Sequence, residues 1–91
     1  MKFLLEKDEK RVAAYDGDKK IGEMSYSPSE SIWIIDSTKV DPDYRGQKIG
    51  QQMLRVIVET AREEDLSIMP LCPFAKKEME ASEEFRKYIK K

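Results

Sequence analysis

A chain of 91 residues with 17 Lys+Arg, 18 Asp+Glu and no histidine carries a formal charge of −1, a balance that argues against a general nucleic-acid binder, which needs a basic excess. The single cysteine rules out an internal disulfide and fits a reducing compartment. Without histidine, the chain lacks the usual partners for a zinc site and the base of any Ser-His-Asp or Cys-His apparatus.

Lys2 to Lys7 is predicted as a short strand with Phe3 and Leu5 on one face, and Arg11 to Tyr15 as a second, with Val12 and Ala14 alternating against polar neighbours. Asp16-Gly17-Asp18-Lys19 has the chemistry of a tight hairpin turn, since glycine tolerates positive φ. Lys20 to Tyr26 returns as a strand, and Ser27-Pro28-Ser29-Glu30-Ser31 has the composition of a loop. Ile32-Trp33-Ile34-Ile35, dense in β-branched and aromatic residues, is expected to be buried on both faces and to continue to Val40, with Trp33 in the core. The clearest helix is predicted over Gly46 to Glu63, with Ile49, Met53, Val56, Ile57, Thr60 and Ala61 as its apolar stripe. Leu66 to Leu71 is a short buried strand, placed by the preceding helix as a parallel neighbour of the strand ending at Val40. Phe74 to Tyr88 is helical in character with a break at Ala81-Ser82, where Ser82 is a candidate N-cap. The Glu/Lys pattern from Lys76 to Lys91 is a solvated face.

The expected architecture is therefore α+β: antiparallel N-terminal strands followed by β-α-β-α in one domain, residues 1–91. No apolar run reaches the ~18 residues that span a bilayer. Met1 to Glu6 turns charged too early for a signal peptide, so the cytoplasm is the expected location. A chain this small leaves a monomer or a homodimer open, the latter by covering an exposed sheet edge.

The chemistry centres on Val40 to Gly50, which runs from an apolar strand through a Pro turn into the mouth of the long helix. A helix mouth presents unpaired N–H groups and the positive end of the dipole, which suit a phosphate or pyrophosphate. Gly46 and Gly50 would each cost about 1 kcal/mol on a first helical turn relative to alanine. That cost is understandable where something must approach the backbone closely. Arg45 and Lys48 flank the mouth. A well-built helix start with no ligand is the plain alternative; neither the P-loop spacing nor GxGxxG is present.

Arg45-Gly46-Gln47-Lys48-Ile49-Gly50 resembles the pyrophosphate loop of the GCN5-related N-acetyltransferases, Gln/Arg-x-x-Gly-x-Gly/Ala, and Thr38-x-Val40-x-Pro42-x-Tyr44 ahead of it extends the match. Lys48 departs from the pattern, standing where the family has its central glycine. Pro70-Leu71-Cys72-Pro73-Phe74 carries the similarity to the small single-domain members, so that it covers the chain from Asp16-Gly17 through Phe74. The resemblance implies a mixed sheet with a splayed central strand pair that binds acetyl-CoA. Thr38 and Val40 would hold the pantetheine arm, and Arg45, Gly46, Gln47, Lys48, Ile49 and Gly50 the pyrophosphate. It implies acetyl transfer to an amine, small or on a protein, with no metal. It also places Cys72 beside the thioester.

Cys72 is then an acid for the departing thiolate, a nucleophile, or an inert core thiol. Small relatives often carry a His before the Thr matching Thr38, and this chain has Ser37 there. Glu23 and Asp36 are the carboxylates considered for a base, and Lys76 and Lys77 for the 3′-phosphate. A non-catalytic acyl-CoA-binding module and a bare interaction fold are the competing expectations.

Overall fold

The computed structural model describes residues 1–90; Lys91, the last residue of the charged C-terminal pattern, lies outside the described residues. The strands are β1 (Lys2–Glu6), β2 (Arg11–Asp16), β3 (Lys19–Ser29), β4 (Ile32–Val40) and β5 (Ser67–Pro70). The helices are α1 (Ile49–Glu64), α2 (Pro73–Ala81) and α3 (Glu83–Arg86), with single 3-10 turns at Lys7–Glu9 and Pro42–Tyr44. The strands form one sheet in the order β1-β2-β3-β4-β5, antiparallel as far as β4, with β5 parallel to β4 across the α1 crossover.

All three helices share one face of the sheet. α1 packs across all five strands, α2 leans on β4 and β5, and Arg55 of α1 ties α3 in through an ion pair with Glu84 and its guanidinium over the Phe85 ring. Strand periodicity therefore divides buried from open residues. Val12, Ala14, Met24, Tyr26, Trp33, Ile35 and Ile68 face the helices in one core, with Tyr26 and Trp33 stacked at a ring separation of 4.1 Å. The β4 run is thus not buried on both faces: Trp33 and Ile35 are buried, whereas Ile32 and Ile34 are only half-buried and Asp36 is exposed. Among the described residues, no element covers the second face.

Three further expectations shift. Ser27-Pro28-Ser29 is strand, paired with Ile34, Trp33 and Ile32, so the reversal shrinks to Glu30-Ser31, with Glu30 at φ 49°. Pro28 is tolerated because the β2–β3 pairing ends at Arg11↔Ser25, so its missing N–H faces no ladder. α1 starts at Ile49 rather than Gly46, with Lys48 as N-cap, and its buried face includes Leu54 and Val58 in place of Val56 and Thr60. The break at Ser82 forms as expected: its Oγ accepts from Phe85 N at 3.3 Å and starts α3.

Because that cap satisfies an otherwise orphan N–H, Ser82→Ala should cost about 1 kcal/mol and Ser82→Asn much less. Urea unfolding of the two variants would show it, and equal midpoints would remove the cap from the account.

Candidate functional site

β4 and β5 part company after four residue pairs. The parallel register ends at Ile35↔Pro70, and the Ile35 carbonyl accepts from both Leu71 N and Cys72 N, each at 3.1 Å. Beyond that point β5 turns away into α2, while β4 runs on to Val40 with no strand on that side among the described residues. Pro73 at the first turn of α2 helps to enforce the departure, since it donates no ladder hydrogen bond. The splay expected of the central pair is present.

The Pro42–Tyr44 turn then carries the chain to α1. Asp41 accepts from Asp43 N at 2.9 Å and Pro42 opens the turn. Tyr44 fastens it to the β2–β3 hairpin by donating to Asp16 at 2.5 Å, a bond that raises the phenol's pKa. Gly46 follows at φ +84°, and an added Cβ there would meet no neighbour. Its role is the left-handed backbone itself. Lys48 is also left-handed, at φ 58°, in a conformation that costs a non-glycine residue about 1–2 kcal/mol.

Among the described residues no side chain caps the N-terminus of α1, and no acidic residue occupies its first turn. Around this mouth lies a cleft of about 520 Å³ lined by Thr38, Val40, Tyr44, Arg45, Gly46, Lys48, Ile49, Gly50, Gln51 and Phe74. The sequence-based set is thereby gathered in one place, with two qualifications. Gln47 lines the neighbouring groove between α1 and α2–α3 instead, where its carbonyl accepts from Gln52 Nε2 at 3.2 Å. Cys72 does not line the cleft; it is buried behind Thr38, with Sγ 3.4 Å from Thr38 Oγ1. Arg45 and Lys48 are exposed and form no ion pair among the described residues.

Gly50 overturns part of the argument for ligand approach. A Cβ there would sit 2.7 Å from the Phe74 ring, so the group lying close to this backbone is the protein's own aromatic. Phe74, Tyr44 and Gln51 are cleft residues that sequence reasoning did not assign. An aromatic opening one helix and a glycine opening the other was the available signal for Phe74.

Burial pushes the Cys72 thiol up, but the Thr38 hydroxyl and backbone groups of Ala75, Phe74 and Thr38 outweigh it and hold the thiol below its ordinary pKa. No carboxylate lines the cleft. Glu23 is bound by Lys20, which lowers its pKa, and Arg11 stands 3.9 Å away. Asp36 is exposed and accepts from Ser27 Oγ at 2.7 Å.

A five-stranded mixed sheet whose parallel pair opens beside an uncapped, cation-flanked helix mouth defines the class: an α+β domain organised around a β4–loop–α1 cleft. Residues 10–88 match the family described as GCN5-related N-acetyl-transferase, and the chain belongs to that family. Among solved structures it is similar to a GCN5-like protein from Staphylococcus aureus, with 26% identity and a TM-score of 0.78 over 98% of this chain and 87% of that one. It shares its fold with Rv2747 from Mycobacterium tuberculosis, solved with CoA and NLQ, at 21% identity and a TM-score of 0.58 over 67% of this chain and 40% of the other. A ribosomal-protein-alanine N-acetyltransferase from Brucella melitensis biovar Abortus gives 19% identity and a TM-score of 0.59, over 78% of this chain and 59% of that enzyme. This chain therefore spans less than two thirds of the latter two proteins. No curated protein matches it.

Two stability measurements check the local readings. Lys48→Gly should stabilise the fold by about 1 kcal/mol by relieving the left-handed lysine. Gly50→Ala should destabilise the wild type yet stabilise a Phe74→Ala background, by helix propensity of up to ~1 kcal/mol. A Gly50→Ala effect of the same sign in both backgrounds would show that the ring is not what demands the glycine.

Proposed function

We propose that this protein binds acetyl-CoA in the β4–loop–α1 cleft and transfers the acetyl group to an amine. The observation that carries the reading is the uncapped mouth of α1, facing a cleft whose rim holds two cations, Arg45 and Lys48, that have no ion-pair partner among the described residues. The N–H groups of Lys48, Ile49 and Gly50 and the Arg45 guanidinium would hold the diphosphate. The edge of β4 at Thr38 and Val40, released from β5, would hold the amide-bearing arm. Family membership and the CoA complex of the M. tuberculosis fold relative support the choice of ligand.

The co-substrate supplies the activated thioester. An amine that has shed one proton to solvent attacks its carbonyl; the C–N bond forms, the C–S bond breaks, and the leaving thiolate takes up a proton. Cys72 serves as the source of that proton. Because Thr38 lines the cleft and Cys72 lies behind it, the proton passes from Sγ to Thr38 Oγ1 while the threonine proton moves to the leaving sulfur. Hydrogen bonds that favour the thiolate make Cys72 a better donor. The absence of a carboxylate from the cleft lining favours the competing reading, a non-catalytic acyl-CoA binder.

Calorimetry with CoA and acetyl-CoA, followed by CoA-release assays with a panel of primary amines, tests both readings. Binding should occur with both CoA and acetyl-CoA, and Cys72→Ala and Thr38→Val should keep CoA affinity while losing at least tenfold in kcat. Background release from wild type and both variants alike would leave the binder. No heat with either ligand would remove both readings. The thiol acts while protonated, so the rate should fall as pH rises through its pKa. With that pKa lowered, the fall should begin below the ordinary thiol value near 8.5 and be missing from the Cys72→Ala profile.

A further inference from the structure

A sheet in the order β1-β2-β3-β4-β5 has two edges, and this chain treats them differently. The outer edge of β5 is covered by the C-terminal segment: Ile68 N donates to the Tyr88 carbonyl and Lys90 N to the Ile68 carbonyl, each at 2.8 Å. β1 pairs with β2 from Lys2↔Tyr15 to Glu6↔Arg11, and no described residue pairs with its other side. Every second residue of β1 therefore points an N–H and a C=O away from the sheet, a row of groups that one further strand would satisfy.

The side chains of β1 say which strand fits. Lys2-Phe3-Leu4-Leu5-Glu6 has a cation at one end, an anion at the other and apolar residues between. Laid antiparallel against a second copy with Leu4 on the two-fold axis, each Lys2 falls opposite the partner's Glu6, and Leu4 opposite the partner's Leu4. Lys2 is exposed and has no ion-pair partner among the described residues. Glu6 accepts from Arg11 Nε at 2.7 Å and Tyr15 Oη at 2.6 Å. Those bonds fix its carboxylate and leave lone pairs for a third donor. Leu4 shares the open face with Lys2 and Glu6 and is 46% exposed. On the helix side Phe3 and Leu5 already pack at the margin of the core, and in this register Phe3 meets the partner's Leu5.

Other registers fit worse. A parallel in-register pairing sets Lys2 on the partner's Lys2 and Glu6 on the partner's Glu6, which repel. A one-residue slip sets Lys2 opposite the partner's Leu5 and puts the two helix layers on opposite faces of the sheet. Lysine on an edge strand ordinarily deters strand addition; a second copy of the same strand answers it with a carboxylate.

We propose that two copies of this chain associate through the outer edges of β1, antiparallel about Leu4, so that one sheet runs through both. The paired segment is about 17 Å long, a small contact of the weak, reversible class. The β4–loop–α1 cleft lies beyond β2 and β3 from this edge, so each copy keeps its own cleft. The dimer stands whether or not the cleft takes acetyl-CoA.

Sedimentation of the 91-residue chain without added residues, from about 10 μM to about 1 mM, should show a monomer–dimer equilibrium. Leu4→Lys and Lys2→Glu change exposed side chains, and each should raise the dissociation constant at least tenfold with the circular dichroism of the fold unchanged. In the wild type, the outward-facing amides of β1 should exchange with deuterium more slowly at the higher concentration. A half-labelled sample should give isotope-filtered NOEs from Leu4 of one copy to β1 of the other. A chain that stays monomeric at the highest concentration, a dimer whose constant neither variant moves, or concentration-dependent protection confined to β5 and Tyr88–Lys90 would each overturn the proposal.

Discussion

One carbonyl governs the geometry of this molecule. Ile35 O accepts two successive N–H groups, from Leu71 and Cys72, where a regular parallel ladder would offer one acceptor to each donor in step. The doubled bond halts the register, so β5 peels off into α2 while β4 continues. Released β4 presents Thr38 and Val40 to the cleft. The peeled segment carries Cys72 inward and Leu71 outward. The divergence of the two segments therefore follows from one interruption in pairing, placed between the nine-residue β4 and the four-residue β5.

The loop beyond β4 is fastened by groups distant in sequence, which explains how exposed residues keep a defined shape. Tyr44 reaches Asp16 in the β2–β3 hairpin, Lys19 approaches Asp41 at 3.7 Å and stands over the Tyr44 ring. Each exposed ion pair is worth little alone. Together they clamp a turn that must hold Gly46 and Lys48 in left-handed conformations. The lysine bears a strain that glycine would not, and in exchange it adds a cation at the helix mouth. Phe74 seated on Gly50 then locks the first turn of α2 against that of α1, so the cleft wall is set by an aromatic–backbone contact rather than by a loop.

Much of this was legible in the chain. Alternation located β1 and β2, Asp16-Gly17 located the hairpin, and Ser82 located the start of α3, because each signal acts over a few residues. The glycine loop was recognisable, yet the reason for each glycine was not. At Gly46 it is φ, and at Gly50 it is a ring 24 positions away in sequence. Local rules carry no information about such a distant partner. Ser27-Pro28-Ser29 was misread for the converse reason: turn-like composition yields to a β4 partner when no β2 partner competes for the missing N–H. The one-sided burial of β4 likewise depends on where three helices pack, which periodicity within β4 does not encode.

The proton balance limits what these residues do. An alkylamine with a pKa near 10.4 is about one part in a few thousand free at pH 7, which places roughly 4–5 kcal/mol in front of attack. In the proposed reaction water would take that proton, while Cys72, buried behind Thr38, would keep its own for the departing sulfur. On that reading acid and base are separate groups, and the step requires no histidine.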